Sequence, residues 1–279
     1  MRNAQQWFFP KKPQKGTWRV PLGVFLVSLA LLVFFVAMNR SATAWTIFTQ
    51  FHLPRVAAAL EPNDATLQFA IGNYYFGGSK EYDVERAEEF FRRTVAINFF
   101  YPVAHYQLGR TLFIKGDMYL AEREIDEELK LHPEFWRSYY MRALIRGYSG
   151  NLLGAAGDFA EFLRHRPESW AAHNDLAWVY FRLGDYAKVK EVAADGLRYA
   201  PDNPWLNNSL GIALMNLGDN EGARTALLNA AKGSLAMTPE IWGGAYPGND
   251  PSVYSEGLEA MRSSIKRNLA LLVGTSTTH

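Results

Sequence analysis

The 279-residue chain has 29 Lys and Arg residues against 28 Asp and Glu residues, and it contains no cysteine. The lack of cysteine excludes disulfide bonds, thiolate metal sites and cysteine nucleophiles. Six of the basic residues and no acid fall in the first forty positions, so 23 basic and 28 acidic residues remain beyond them, a net charge of −5. This balance argues against a nucleic acid partner, because such binding depends on neutralising phosphates.

The N-terminus combines a basic tail, residues 1–19, with an uncharged and mostly apolar segment, residues 20–38. A helix of nineteen residues rises nearly 30 Å at about 1.5 Å per residue, the thickness of the hydrocarbon core of a bilayer. We therefore expect a single transmembrane helix in the inner (cytoplasmic) membrane. The basic residues precede the span, which predicts a cytoplasmic tail and an extracytoplasmic remainder, in the periplasm of a bacterial envelope.

A cleaved signal peptide is the alternative, because Ala42-Thr43-Ala44 has the small-x-small pattern of a cleavage site. The apolar segment is longer than the usual stretch of about 7–15 residues in a signal peptide. Arg40 also separates that segment from the possible site. These residues favour the uncleaved anchor and leave cleavage after Ala44 open, and both alternatives export the C-terminal part of the chain.

A period of 34 residues organises the next part of the chain. It is carried by four glycines, each followed by Asp or Asn, and by three prolines that follow apolar runs with helical spacing: Gly116, Gly150, Gly184, Gly218, Pro133, Pro167 and Pro201. Each unit is predicted to be a helix A, a tight turn and a helix B that ends before proline. Such units bury their apolar faces by stacking on their neighbours, which predicts a solenoid.

These residues resemble the tetratricopeptide repeat (TPR). The pairs Leu108-Gly109, Leu176-Ala177 and Leu210-Gly211 match the Leu-Gly or Leu-Ala signature of helix A, and Ala121, Ala155 and Ala223 match the small residue of helix B. Arg142-Ala143 and Val189 depart from the pattern. The resemblance implies an all-α protein: a right-handed TPR solenoid of about five helix-turn-helix repeats, with the N-terminal transmembrane helix and a C-terminal capping helix added. The predicted repeats are 65–101, 102–135, 136–169, 170–203 and 204–235, after a linker and half repeat at 39–64.

In TPR proteins the helix A residues opposite the packing face line a concave groove, so the resemblance implies that this groove binds a protein or peptide partner. The predicted groove residues are aromatic, amide or arginine side chains: Asn73, Tyr106, Arg110, Arg137, Tyr140, Asn174, Trp178, Trp205 and Asn208. Amides can bracket a peptide backbone, arginine can hold a carboxylate and aromatic rings can act as apolar anchors. For Trp178 and Trp205, packing against the next repeat is the alternative.

The chain after the repeats is predicted to form a Gly/Pro/aromatic loop at 236–249, a capping helix at 250–273 and a short tail at 274–279. Asp250-Pro251 carries the signal of a helix start. An amphipathic stripe runs from Tyr254 to Leu272. One hypothesis for the loop is that Trp242 and Tyr246 fold back over the groove as an internal ligand.

The sequence favours a binding protein over an enzyme, because it contains no phosphate-binding loop, nucleophile elbow or metalloprotease motif. We expect no catalytic residue, metal, cofactor or small-molecule substrate; an enzyme using His173, Tyr246 or Asp250 is the alternative from another class. The expected function is a membrane-anchored scaffold or adaptor that binds another envelope protein. A permanent structural subunit of a pilus, secretion or polysaccharide-export complex is the alternative.

Overall fold

The computed structural model describes residues 22–77, 81–245 and 250–275, and these residues form helices and turns without a β-strand. The chain divides into two compact units, 1–61 and 62–279. The predicted basic tail, the first two residues of the predicted span and Tyr246 lie outside the described residues.

The described part of the first unit, residues 22–61, contains three helices: α1 (Leu22–Met38), α2 (Arg40–Phe51) and α3 (Pro54–Leu60). The side chains of α1 are exposed apart from the half-buried Val36. Taken alone, each helix in the described part of the chain falls short of the length and apolar character that a membrane crossing requires. The pair α1 and α2 meets both requirements together, with a bend of 93° between the two helices. The Arg40 side chain donates to the Leu60 carbonyl and lies 3.7 Å from the Glu61 carboxylate, which ties α2 to α3.

Five helix pairs make up most of the second unit, and each pair packs against the next one. The A helices are α4 (Ala65–Phe76), α6 (Ala104–Ile114), α8 (Arg137–Tyr148), α10 (Trp170–Leu183) and α12 (Pro204–Asn216). The B helices are α5 (Val84–Ile97), α7 (Met118–Leu131), α9 (Leu152–His165), α11 (Tyr186–Leu197) and α13 (Asn220–Leu235). The all-α solenoid predicted from the 34-residue period is confirmed.

The turn inside a repeat depends on the glycine and the acid or amide next to it in the chain. The four repeat glycines have φ between 75° and 89°, a left-handed conformation that costs glycine little. The next residue then caps helix B: Asp117 accepts a hydrogen bond from the Leu120 N–H at 3.1 Å, and Asp219 accepts one from the Gly222 N–H at 2.9 Å. Two adjacent residues therefore end one helix and begin the next.

Close contact between the two helices of a repeat explains the Leu-Gly signature. A Cβ atom added to Gly109 would lie 2.7 Å from Ile125 Cδ1 and 3.2 Å from the Ala121 carbonyl oxygen. Gly211 has the same relation to Leu227, at 2.6 Å. The glycine thus lets helix A lie against the backbone of helix B.

Arg142, one of the departures from the TPR pattern, belongs to an ion-pair network that joins α7, α8 and α9. Arg142 lies 2.7 Å from one Asp158 oxygen, and Arg146 lies 2.8 Å from the other. Asp126 and Glu122 of α7 also bind Arg142 and Arg146, at 2.8 Å and 2.7 Å. Desolvation lowers the pKa of Arg142, but the two carboxylates outweigh it and raise that pKa. Ion pairs therefore stand in this repeat where the TPR pattern has a leucine.

The C-terminal segment is more regular than predicted, because the expected irregular loop contains a short helix, α14 (Pro239–Gly244). Thr238 caps it by accepting a hydrogen bond from the Ile241 N–H, and Pro239 occupies its first turn. A 3-10 helix (Pro251–Val253) and α15 (Tyr254–Thr275) come next. Trp242 packs against α15, since a Cβ atom on Gly257 would lie 2.1 Å from its ring. Trp242 therefore contacts the capping helix, and the hypothesis that the loop folds back over the groove stays a prediction.

Helix α15 caps the solenoid through apolar and polar contacts with the last repeat. Leu272 and Leu269 pack against Leu214 and Leu227 of α12 and α13. The Arg262 guanidinium donates to the Ser234 carbonyl at 2.9 Å and to the Met237 carbonyl at 3.0 Å. These bonds satisfy carbonyl groups at the end of α13.

Candidate functional site

The A helices of repeats two, three and four surround a cavity of about 220 Å³, here called the central cavity. Four of the predicted groove residues line it: Tyr106, Arg110, Tyr140 and Asn174. Its other lining residues are Phe113, Ile114, Met141, Leu144, Tyr148, Trp170, Ala171, Asp175 and Ala245. The cavity therefore has largely aromatic and aliphatic walls, with one guanidinium and one carboxylate among them.

A second cavity of about 260 Å³ lies further along the repeats. Four residues of the predicted set line it: Asn174, which the two cavities share, Trp178, Trp205 and Asn208. Met261 of α15 lines the same cavity. The Asn268 side chain of α15 donates a hydrogen bond of 3.0 Å to Asn208 Oδ1. The capping helix therefore contacts the last predicted groove residues, so this end of the groove lies against the C-terminal helix of the same chain.

The two predicted groove tryptophans also make contacts between repeats. Trp178 packs against Gly147, where an added Cβ atom would lie 2.8 Å from the indole, and its ring centroid lies 5.2 Å from that of Tyr148. Trp205 stacks on Trp170 with ring centroids 4.9 Å apart. These are the contacts expected for packing between successive repeats.

Polar side chains link consecutive A helices along the same side of the solenoid. Gln107 donates to Asn73, and the Tyr140 hydroxyl donates to Asp175. The Ser209 hydroxyl donates to Asn174 Oδ1 at 3.1 Å. Each bond joins residues that lie 34 or 35 positions apart, which is one repeat.

The two predicted arginines differ in their surroundings. Arg110 is half-buried, and its guanidinium lies 4.8 Å from the Phe76 ring centroid and 5.6 Å from that of Tyr106. Desolvation lowers its pKa, and so does the nearby Arg137. Arg137 is exposed and lies over Trp136, and it forms no ion pair within the described parts of the chain. Arg137 does not line the central cavity.

Asp175 is the charged residue of the cavity that the sequence did not predict. Its carboxylate accepts hydrogen bonds from the Tyr140 hydroxyl and, at 3.4 Å, from the Asn174 amide. Burial raises the pKa of Asp175 to about 6, although both hydrogen bonds act to lower it. The available signal was a polar pair, Asn174-Asp175, inside a helix A that is otherwise mostly apolar.

The start of α15 approaches the first repeats from the other end of the chain. Burial raises the pKa of the Tyr82 hydroxyl, Asp250 and Tyr254 raise it further, and Arg110 lowers it. Ala245 lines the central cavity, which places the C-terminal segment beside the predicted groove.

Comparison with known proteins agrees with the repeat architecture. A tetratricopeptide repeat family profile, TPR_16, matches residues 140–188. No curated protein matches the chain. A crystal structure of MamA aligns with a TM-score of 0.55 at 16% identity, over 61% of this chain and 92% of MamA. MamA from Desulfovibrio magneticus RS-1, residue 41 to the end, aligns at 0.57 and 18% identity, over 62% and 96%.

A third solved structure is that of YrrB, a TPR protein with an unusual peptide-binding site. It aligns with a TM-score of 0.53 at 15% identity, over 66% of this chain and 93% of YrrB. Identities this low compare folds alone. The chain therefore carries tetratricopeptide repeats and has the solenoid fold that they build.

Proposed function

We propose that this protein is a membrane-anchored TPR scaffold or adaptor that binds another envelope protein, or a segment of one, in its groove on the extracytoplasmic side. The observation that carries the proposal is the central cavity, where three successive A helices present aromatic side chains around Arg110 and Asp175. YrrB, a TPR protein of similar fold, has a peptide-binding site, which supports a peptide segment as the kind of partner.

The chemistry of the groove suits an extended polypeptide segment. Tyr106, Tyr140 and Trp170 offer flat apolar surfaces that lose little conformational entropy on binding. Arg110 and the exposed Arg137 supply cations for carboxylates or backbone carbonyls. A bound segment can thus gain apolar contacts and charged hydrogen bonds from adjacent repeats.

Crosslinking tests the groove directly. A photoreactive residue at position 113, on the wall of the central cavity, is expected to give one dominant adduct in cells of the source organism. The charge of the exposed Arg137 can be reversed without removing a buried contact. We expect Arg137→Glu to reduce the yield of that adduct severalfold. The exposed Arg198 pairs with Asp195 at the surface of α11, so Arg198→Glu should leave the adduct unchanged. Failure to form any adduct at position 113 would contradict the proposal.

Membrane anchoring rests on α1, a helix of seventeen residues without a charge whose apolar side chains are almost all exposed. So many apolar side chains are unfavourably exposed to water, and the hydrocarbon core of a bilayer is the environment that suits their composition. The basic residues before it support a cytoplasmic N-terminus.

The absence of native cysteine makes the orientation testable. We expect Lys188→Cys to react with a membrane-impermeant maleimide in cells whose outer membrane is permeabilised, because position 188 lies in the exported solenoid. Lys12→Cys, in the basic tail, should react only after lysis. If Lys188→Cys also requires lysis, the extracytoplasmic placement is wrong.

A permanent structural subunit of a larger membrane complex remains the second candidate, and one observation favours it. Tyr119 and Leu153 are 74% and 76% exposed, and they occupy the same position of helix B in adjacent repeats. Two exposed apolar side chains in register can form a contact surface outside the groove. A photoreactive residue at position 153 that gave the dominant adduct, with none at 113, would favour this candidate.

A further inference from the structure

We propose that the central cavity binds the side chain of a lysine or arginine of the partner, with the cationic group against the Asp175 carboxylate. The inference rests on the proposed function, since it names the chemistry that the groove recognises. It starts from the position of Asp175, whose carboxylate lines a cavity with mostly aromatic and aliphatic walls.

Among the described residues, the Asp175 carboxylate has neither a cation nor a backbone N–H group as its partner, unlike three other acids of the solenoid. Asp158 binds two arginines, and Glu124 lies 2.7 Å from His105. Glu128 accepts hydrogen bonds from two backbone N–H groups. Asp175 has neutral donors instead, from Tyr140 and Asn174. Its charge is therefore one that a ligand can still neutralise.

Burial makes this uncompensated charge costly. The pKa of Asp175 is raised to about 6, but it remains below neutral pH, and the carboxyl group is therefore mostly ionised at pH 7. An ionised carboxylate in a poorly hydrated site favours any cation that can approach it. The free protein thus carries a desolvation penalty that a bound ammonium or guanidinium group would offset.

The walls of the cavity favour an organic cation over an inorganic one. Tyr106, Tyr140, Tyr148 and Trp170 all line it, and aromatic faces attract ammonium and guanidinium groups. Met141 and Leu144 add aliphatic surface for the methylene stem of a long side chain. A cavity of about 220 Å³ is smaller than the roughly 300–1,000 Å³ of ordinary small-molecule sites, and so it suits one side chain.

Arg110 determines the orientation in which a basic residue enters the central cavity. It lines the same cavity from α6, whereas Asp175 lines it from α10. A guanidinium on one wall repels a second cation there and attracts a carbonyl or carboxylate. A basic residue is therefore expected to enter with its cation toward α10 and its backbone toward α6.

Two probes that differ only in the cationic group test the proposal: Nα-acetyl-lysine methylamide and Nα-acetyl-norleucine methylamide. Each is titrated into full-length protein in detergent micelles, with tryptophan indoles labelled with ¹⁵N. The Trp170 indole reports on the cavity, and Trp170→Phe identifies its resonance. We expect a saturable shift with the lysine probe and a dissociation constant about tenfold higher for the norleucine probe.

Variants separate the charge from the shape of the cavity. Asp175→Asn keeps an acceptor for the Tyr140 hydroxyl, and it should abolish the preference for lysine while the Trp170 resonance stays dispersed. Asp195→Asn changes an acid on α11 whose side chain is 46% exposed, and it should leave the preference intact. Equal affinity for both probes, no saturable shift, or a preference that survives Asp175→Asn would each overturn the proposal.

The outcome can be read separately from that of the proposed function. An adduct at position 113 without a lysine preference would show that the groove binds its partner by other chemistry. A lysine preference without any adduct in cells would support the site and contradict its role in partner capture.

Discussion

Replacing Asp158 with alanine is expected to lower the free energy of unfolding by about 3 kcal/mol. The Asp158 side chain is 7% exposed and neutralises Arg142 and Arg146, which are 18% and 22% exposed. Without it, two poorly hydrated guanidinium groups would lie one turn apart on α8. One carboxylate of α7 would remain beside each of them, Asp126 for Arg142 and Glu122 for Arg146. Urea unfolding followed by far-UV circular dichroism measures the loss.

The control is Asp195→Ala, which removes a similar ion pair at the surface. Asp195 and Arg198 lie 3.1 Å apart, but their side chains are 46% and 71% exposed. Solvent screens such pairs, so the loss should be within about 0.5 kcal/mol. Equal effects of the two substitutions would mean that the network adds little to the packing of the third repeat.

Gly109→Val is expected to destabilise the protein by about 2–3 kcal/mol, the cost of overpacking a tight contact. Glycine to valine in a helix would ordinarily be slightly favourable by intrinsic propensity. At position 109 the new side chain would overlap with the Ile125 side chain and with the Ala121 carbonyl oxygen. A backbone oxygen cannot relieve such an overlap by changing its rotamer. The same urea titration measures this effect.

Gly157→Val is the matched control, because Gly157 is an exposed helical residue of α9 with no atom within 4 Å of an added Cβ. Its unfolding free energy should stay within about 0.5 kcal/mol of the parent or rise slightly. If Gly109→Val behaved in the same way, α6 and α7 of the second repeat would not be in close contact.

The repeat architecture could be predicted because its determinants are local. A left-handed glycine and the Asp or Asn after it act within a few residues, and the 34-residue period makes them visible. The signal for α14 was also local, Thr238-Pro239, but the nearby glycines suggested an irregular loop. Identical chemistry at each turn is what made the sequence informative.

The candidate site was only partly predictable, because it depends on contacts between distant parts of the chain. Asn208 and Asn268 are 60 positions apart, and nothing near either residue indicates that α15 reaches the groove. Asp175 was missed because its surroundings depend on the neighbouring repeat, which contributes Tyr140 and Tyr148. The transmembrane anchor, the cellular location and the individual groove residues stay predictions, which the cysteine-labelling and crosslinking experiments address.

The hydrogen bonds that join consecutive A helices have a mechanical consequence. Three of these hydrogen bonds lie on the side that faces the cavities, each between residues about one repeat apart: Asn73 with Gln107, Tyr140 with Asp175, and Asn174 with Ser209. A solenoid flexes by small changes in the angle between repeats, and these hydrogen bonds resist separation of the A helices on that side. We therefore expect the inner surface to keep its curvature when a partner binds, so that little of the binding free energy is lost to ordering it.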